Sequence, residues 1–335
     1  MTPADALLQR AQLGDGQAFA ELVEPHRREL HVHCYRMLGS FDDADDALQE
    51  TLLAGWRGLA AFHARASVRT WLYRIATNTC LNLRRTAARR PQPAPTLPAA
   101  APAPTGSESV TWLQPYPDAL LDSLPDHDLN PEARAVRDEA VSLAFISTLQ
   151  LLSPRARAVL ILRDVLSFSA REVASTIGST EEAVAMNLSR ARASLRDQTR
   201  PALSRDLASE SALARRLTAA FTAHDVGTVV SLLTEDVRIA MPPQPALWEG
   251  RRVAARFLAE VAFRLVPQAR YIQTRANRQP ALAIYARDAA TGRWQSSGLL
   301  VITVAGDQAA RLTRFEVPAL RAFGLPPVLP DDDLA

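Results

Sequence analysis

The sequence predicts a multidomain protein: two all-α helical modules joined by a proline-rich connector, then a smaller α+β domain. Three observations predict it. Apolar residues recur at helical spacing up to about residue 90 and again from about 131 to 208. Six of the fourteen residues from Pro91 to Pro104 are proline, which builds no core and favours an extended connector. Beyond about residue 209, helices give way to runs of strand type. A chain of 335 residues is also longer than one core usually spans. The expected boundaries are 1–90, 91–130, 131–208 and 209–328, with a tail at 329–335.

In the first module, apolar positions at Leu48, Leu52, Leu53, Trp56 and Leu59 mark one helix, and Val68, Trp71, Leu72, Ile75, Thr79 and Leu83 mark another. Pro25 stands near the start of a helix that runs to Leu38 and ends at Gly39-Ser40, and Ser67 is an N-cap. In the connector, Trp112 to Asp122 carries two aromatics and three leucines; exposed, these cost solubility, so the segment is expected to pack on a neighbouring domain. In the second module, Ser153-Pro154 reads as an N-cap with proline at the first helical position. From Ser169 to Val184 the chain reads helix, short turn at Gly178, helix, with capping-box spacing at Ser169/Glu172 and Ser179/Glu182. Ala174 permits a close crossing, and Ile177 and Val184 fill the space between the helices: a helix-turn-helix pattern. The last domain shows helices at Leu213–Ala223 and Val253–Phe263. Its strands are Val237–Met241, Ala281–Tyr285 and Leu299–Val304, with turns at Asn277–Pro280 and Ala290–Arg293.

Composition removes several function classes. All 38 basic residues are arginine, so P-loop, pyridoxal phosphate and Schiff-base chemistries, which need a lysine, are excluded. Two cysteines, Cys34 and Cys80, are too few for a disulfide framework or a cysteine-rich zinc site. His31, His33 and Cys34 are too close along one helix to converge on a metal and read as packing residues. No run approaches the ~18 apolar residues of a membrane span, and the N-terminus lacks a signal-peptide core. The expected compartment is a reducing cytoplasm, and no cofactor is expected.

Charge is unevenly placed. Five carboxylates and no base lie between Asp42 and Glu50, whereas Thr51 to Ser107 holds eight arginines and no carboxylate. The switch of sign suggests two partners, one basic and one polyanionic, against the plainer reading of a solvated charge run.

These residues carry a family resemblance. The run from Asp42 to Trp56 (DDADDALQETLLAGW), followed by Ser67 to Arg85 (SVRTWLYRIATNTCLNLRR), resembles regions 2.2 to 2.4 of sigma-70-type factors of the extracytoplasmic-function (ECF) group. Leu152 to Arg157 (LSPRAR) and the helix-turn-helix ending Leu188-Ser-Arg190-Ala-Arg192 resemble region 4. The last domain and the linker Trp112–Asp122 (WLQPYPDALLD) are similar to an ECF subset carrying a cone-shaped SnoaL-like domain.

The resemblance implies core RNA polymerase and promoter DNA as partners, no membrane, contact between linker, sigma domains and C-terminal domain, and a possible small ligand of the SnoaL-like domain. It assigns core binding to Asp42, Asp43, Asp45, Asp46, Gln49 and Glu50. Asp42, Asp46 and Glu50 follow at one-turn spacing on one side, although acids at a helix N-terminus also suit the macrodipole. In the next helix Arg69, Trp71, Arg74, Asn78, Asn82 and Arg85 are expected to hold phosphates and unpaired bases; Trp71 is equally readable as a core residue. In region 4, Ser179, Thr180, Glu181, Glu182, Ala183 and Asn187 are expected near bases, with Arg190 and Arg192 on phosphates. Ala185 and Met186 depart from the basic or small polar residues common there.

SnoaL-like folds also include enzymes, so Asp236, Glu249, Glu260, Glu316, His224, Tyr271 and Tyr285 are candidates for acid–base work. Asp236 is expected to end a helix and Glu249 to sit in a turn, outside the strands. The expected function is a non-catalytic sigma factor whose last domain regulates it in cis. The alternatives are a helix-turn-helix regulator with a ligand-binding domain, or a SnoaL-like isomerase or cyclase.

Overall fold

The structure is a computed structural model, and it describes residues 3–63, 66–87, 101–110, 112–122, 139–196, 207–316 and 320–330. Expectations for 91–100, 123–138 and the tail from 331 lie outside the described residues. The chain divides into two compact units, one holding both helical modules and the other holding Gln92–Asp122, Val141–Leu143 and everything from Arg200 on.

In the helical unit, α1 (Pro3–Gln12) precedes α2 (Gly16–Leu38), α3 (Phe41–Gly58) and α4 (Val68–Ala87). Helix α2 starts nine residues before Pro25 and carries that proline inside it. Asp15 caps it by accepting from the Ala18 amide at 3.0 Å. The buried Phe19, Leu22 and Val23 continue the apolar stripe of the later turns, and this burial outweighs the single amide that Pro25 lacks. Gly39 ends the helix at φ 76°, a left-handed conformation that glycine adopts without penalty. Ser40 and Ser67 cap α3 and α4 through the amides of Asp43 and Thr70.

The second module runs α6 (Leu143–Leu151), α7 (Pro154–Leu160, drawn on through a π-turn to Val165), α8 (Ala170–Ile177) and α9 (Glu181–Arg196), while α5 (Asp118–Asp122) belongs to the linker. Ser169 and Glu172 form a reciprocal capping box on α8. On α9 the cap is Thr180 rather than Ser179: its hydroxyl accepts from the Ala183 amide at 3.2 Å. Val173, Ala174, Ile177, Val184 and Leu188 are buried, as a helix-turn-helix core requires. Arg157 fastens α7 to the end of α2. It is 0% exposed and donates to the carbonyls of Leu149 (2.8 Å), Gln150 (3.0 Å), Leu152 (3.1 Å) and Met37, and to Gln150 Oε1 (2.5 Å). The Met37 carbonyl lies in the last turn of α2, where carbonyls lack helical partners and the dipole is negative.

In the other unit, α10 (Leu207–Thr222) and α11 (Val226–Ser231) lead into an eight-stranded sheet of order β1-β3-β2-β7-β6-β5-β4, with β8 against β6. The strands are β1 (Gly106–Ser107), β2 (Leu233–Ala240), β3 (Ala246–Glu249), β4 (Ala269–Ala276), β5 (Gln279–Arg287), β6 (Trp294–Ala305), β7 (Gln308–Phe315) and β8 (Val328–Leu329). Helices α12 (Arg251–Phe257) and α13 (Phe263–Leu265) lie between β3 and β4, joined by a π-turn. Asp236 and Glu249 stand within β2 and β3, correcting the turn positions expected for them. One face of the sheet (Val237, Ile239, Leu282, Leu300 and Ile302) packs with Leu217 and Phe221 of α10 and Phe257 of α12 in the core, the layout of an α+β cone.

The linker wraps this sheet. Gly106–Ser107 pairs with β3, and the carbonyl of Pro102 accepts from the Trp248 indole at 2.8 Å. Tyr116 exchanges two 2.8 Å hydrogen bonds with Asn277, one to its side chain and one from its amide. Asp118 accepts from the Arg278 amide (2.7 Å) and Arg275 (3.2 Å), Glu108 pairs with Arg311 (2.8 Å), and Asp122 pairs with Arg278. Charge explains the fit. Residues 91–130 hold five carboxylates and no arginine, against fifteen arginines and nine carboxylates in 209–328. Asn277 and Arg278 turn the β4–β5 hairpin at φ 56° and 60°, strained for arginine.

Candidate nucleic-acid and partner interface

Helix α3 presents its acids on one open face. Ala44, Ala47, Leu48, Thr51 and Gly55 are buried, leaving Asp42, Asp45, Asp46, Gln49 and Glu50 exposed and Asp43 half-buried. Gln49 donates to Asp45 at 3.0 Å. Leu53 (54% exposed) and Trp56 (37%) extend this face, correcting their expected place on the apolar side. The signal was available, because Leu53 and Trp56 continue the three- and four-residue spacing of Asp42, Asp46, Gln49 and Glu50.

Helix α4 sorts its expected contacts into exposed and engaged. Arg74 and Asn82 are exposed. Arg69 is engaged: its Nε lies 3.0 and 3.2 Å from the Glu29 oxygens, and its guanidinium lies over the rings of Tyr73 (4.9 Å) and Phe168 (5.7 Å). Burial would raise the Glu29 carboxyl, but a hydrogen bond from His26 and the Arg69 charge hold it below its ordinary value. Trp71 is half-buried, its ring 4.7 Å from Phe62 and facing Gly55 and Gly58. Asn78 donates to the carbonyls of Arg74 (2.9 Å) and Thr176 (3.2 Å). The Arg85 side chain lies outside the described residues.

On α9, Glu181 and Arg190 are exposed. The Glu182 carboxylate takes hydrogen bonds from its own amide and from the Thr180 hydroxyl, which lower its pKa and turn it back toward the helix start. Asn187 is half-buried and donates to the Ala183 carbonyl at 2.9 Å. Arg192 is held by Asp164 at 2.9 and 2.7 Å. Ser179 and Ala183 are half-buried, and Thr180 is exposed while capping the helix.

The residues that imitate a metal cluster are packed. His33 bonds Thr77 at 2.9 Å, and the His31 ring lies 5.0 Å from that of Phe41. Burial lowers the pKa of His31 to about 4 and that of His33 to about 3. Cys34 and Cys80 are buried together, and burial raises the Cys80 thiol. In the last domain, aromatics occupy the interior: Trp248 stacks 4.5 Å from Phe257, and Phe221 lies 5.4 Å from Tyr271 and 6.0 Å from Phe263. Glu249, Glu260 and Glu316 pair with Arg238, Arg256 and Arg314. The Tyr285 hydroxyl donates to the Pro326 carbonyl.

An acidic helix beside an acid-free basic helix, followed by a helix-turn-helix, defines a sigma-70-type protein. The family model for Sigma-70 region 2 matches residues 22–90, and that for Sigma-70, region 4 matches residues 142–195. The chain is 39% identical over 317 residues to the ECF RNA polymerase sigma factor SigG of Mycobacterium tuberculosis, covering 92% of this chain and 84% of that protein. It is 29% identical over 198 residues to the ECF RNA polymerase sigma factor SigW of Bacillus subtilis, covering 58% of this chain and 95% of that one. The crystal structure of Mycobacterium tuberculosis extracytoplasmic function sigma factor SigJ shares the fold with a TM-score of 0.58 and 23% identity, over 88% of this chain and 96% of that one. The chain belongs to the ECF RNA polymerase sigma factors.

Proposed function

We propose that the exposed acids of α3, with Leu53 and Trp56, grip basic residues on the largest polymerase subunit, that α4 engages the melted promoter element, and that α9 enters the major groove of the upstream element. The separation of sign supports this most: α3 opens with Asp42, Asp43, Asp45, Asp46 and Glu50, whereas α4 holds arginines and no acid. A polyanion repels the first surface and attracts the second. Arg74, Asn82 and Arg190 supply the exposed polar contacts. Arg69 and Arg192 act as positioning residues, because Glu29 and Asp164 occupy them. The protein acts in the cytoplasm with its polymerase; no helix among the described residues is long and apolar enough to cross a membrane.

The C-terminal domain serves in cis, by holding the linker through Asn277, Arg275 and Arg278, and not by catalysis. Aromatic rings pack in its interior, Glu249, Glu260 and Glu316 pair with arginines, and Asp236 accepts from the Thr234 hydroxyl at 3.0 Å. A small ligand reaching this domain would act by loosening that hold. The test is a core-binding assay with Asp45→Arg/Asp46→Arg. Reversing two exposed charges weakens core binding at least tenfold at low salt and leaves the melting temperature within 2 °C, given that surface changes cost about 0.5 kcal/mol or less. Unchanged core binding refutes the assignment.

A further inference from the structure

We propose that Met186 reads a thymine of promoter DNA through its 5-methyl group, an assignment that rests on the reading of α9 as the major-groove helix. Val184, Leu188 and Ala191 are buried and fix the inner face of α9. Met186 lies two residues beyond Val184, hence about 200° round the helix at 3.6 residues per turn, almost opposite the buried stripe. It is 52% exposed. The other outward positions are Glu182, Ala185, Ser189, Arg190, Ala193 and Ser194, all exposed. Glu182 is turned back onto the helix start, Arg190 stands on the flank, and the rest are short. The thioether therefore projects from the middle of the face, in the N-terminal half of the helix that enters the groove first.

An apolar partner helix would be met by several anchors at three- and four-residue spacing. Here the neighbouring outward positions are alanine, serine, glutamate and arginine, so Met186 stands alone. The edges of base pairs in the major groove carry one apolar feature, the methyl group of thymine, among hydrogen-bond donors and acceptors. A single flexible, polarisable thioether flanked by small residues and one arginine suits that feature. The departure from a basic or polar residue at this position thus exchanges a phosphate contact for a base contact.

The experiment uses the full chain bound to core polymerase on a promoter fragment from which that holoenzyme initiates. Each thymine of the upstream protected element is replaced in turn by deoxyuridine, which lacks only the methyl group. For the unaltered protein, replacement at one or two positions lowers affinity about fourfold, the effect of one buried methyl group. Met186→Ala binds the thymine and uracil promoters equally at those positions, and Met186→Leu keeps the discrimination. Initiation without any thymine-to-uracil effect, or an effect that Met186→Ala leaves intact, overturns the assignment alone. If no genomic promoter fragment supports initiation by the unaltered holoenzyme, the underlying reading of the chain falls as well.

Discussion

Replacing Arg157 by alanine removes a guanidinium that meets five acceptors in a site closed to water. Four of those acceptors are main-chain carbonyls of Met37, Leu149, Gln150 and Leu152, which the shorter side chain leaves inside the protein without this donor. Each stranded acceptor costs about 1–3 kcal/mol in isolation, but neighbouring losses are not additive. The loss expected for breaking a buried charged network is about 3–5 kcal/mol. Spread over a helical unit of this size, that corresponds to a fall of about 6–20 °C in melting temperature. Calorimetry of the full chain resolves the point, because the transition of the helical unit should drop while that of the C-terminal unit holds. Arg157→Lys keeps a charge without the planar fork and should fall between the two. A helical transition within 2 °C of the unaltered protein for Arg157→Ala would refute the argument.

Two further outcomes concern stability. His31 and His33 are held neutral, with pKa values of about 4 and about 3 against 6.5. The unfolded chain therefore binds more protons below pH 6.5, and stability falls as pH drops through that value. At pH 5 the loss is about 2 kcal/mol per histidine; urea midpoints between pH 7 and 5 measure it, and His33→Gln should halve the slope. In the linker, Asp118→Ala removes the acceptor of the Arg278 amide and of Arg275. At about 2 kcal/mol for the pair of bonds, limited proteolysis between residues 101 and 122 should quicken about thirtyfold, and an unchanged cleavage rate would show that the strap is held elsewhere.

The helical modules were legible because their signals are local: serine caps, the Ser169/Glu172 box and apolar stripes each involve residues a few positions apart. The acid-then-arginine alternation was legible for the same reason. What escaped the sequence depends on distant partners. Nothing local in LSPRAR marks Arg157 as buried, because its burial is satisfied jointly by the Met37 carbonyl of α2 and by acceptors at Leu149, Gln150 and Leu152. Arg69 and Arg192 look like free cations until Glu29 and Asp164 come within 3.0 and 2.7 Å. Propensity puts Pro25 near a helix start, whereas the Asp15 cap and burial on both sides carry the helix through it. Asp236 precedes the apolar run of β2 and Glu249 is the last residue of the four-residue β3, so alternation alone puts neither inside a strand.

The central claim is that a carboxylate-rich helix and an arginine-bearing helix side by side let one chain hold polymerase and promoter together. The direct measurement is sedimentation of the purified chain with core polymerase, followed by run-off transcription from genomic promoter fragments. The account predicts a stable complex and transcripts that appear only when the chain is added. No co-sedimentation at low salt, together with transcript levels that ignore the chain, contradicts it.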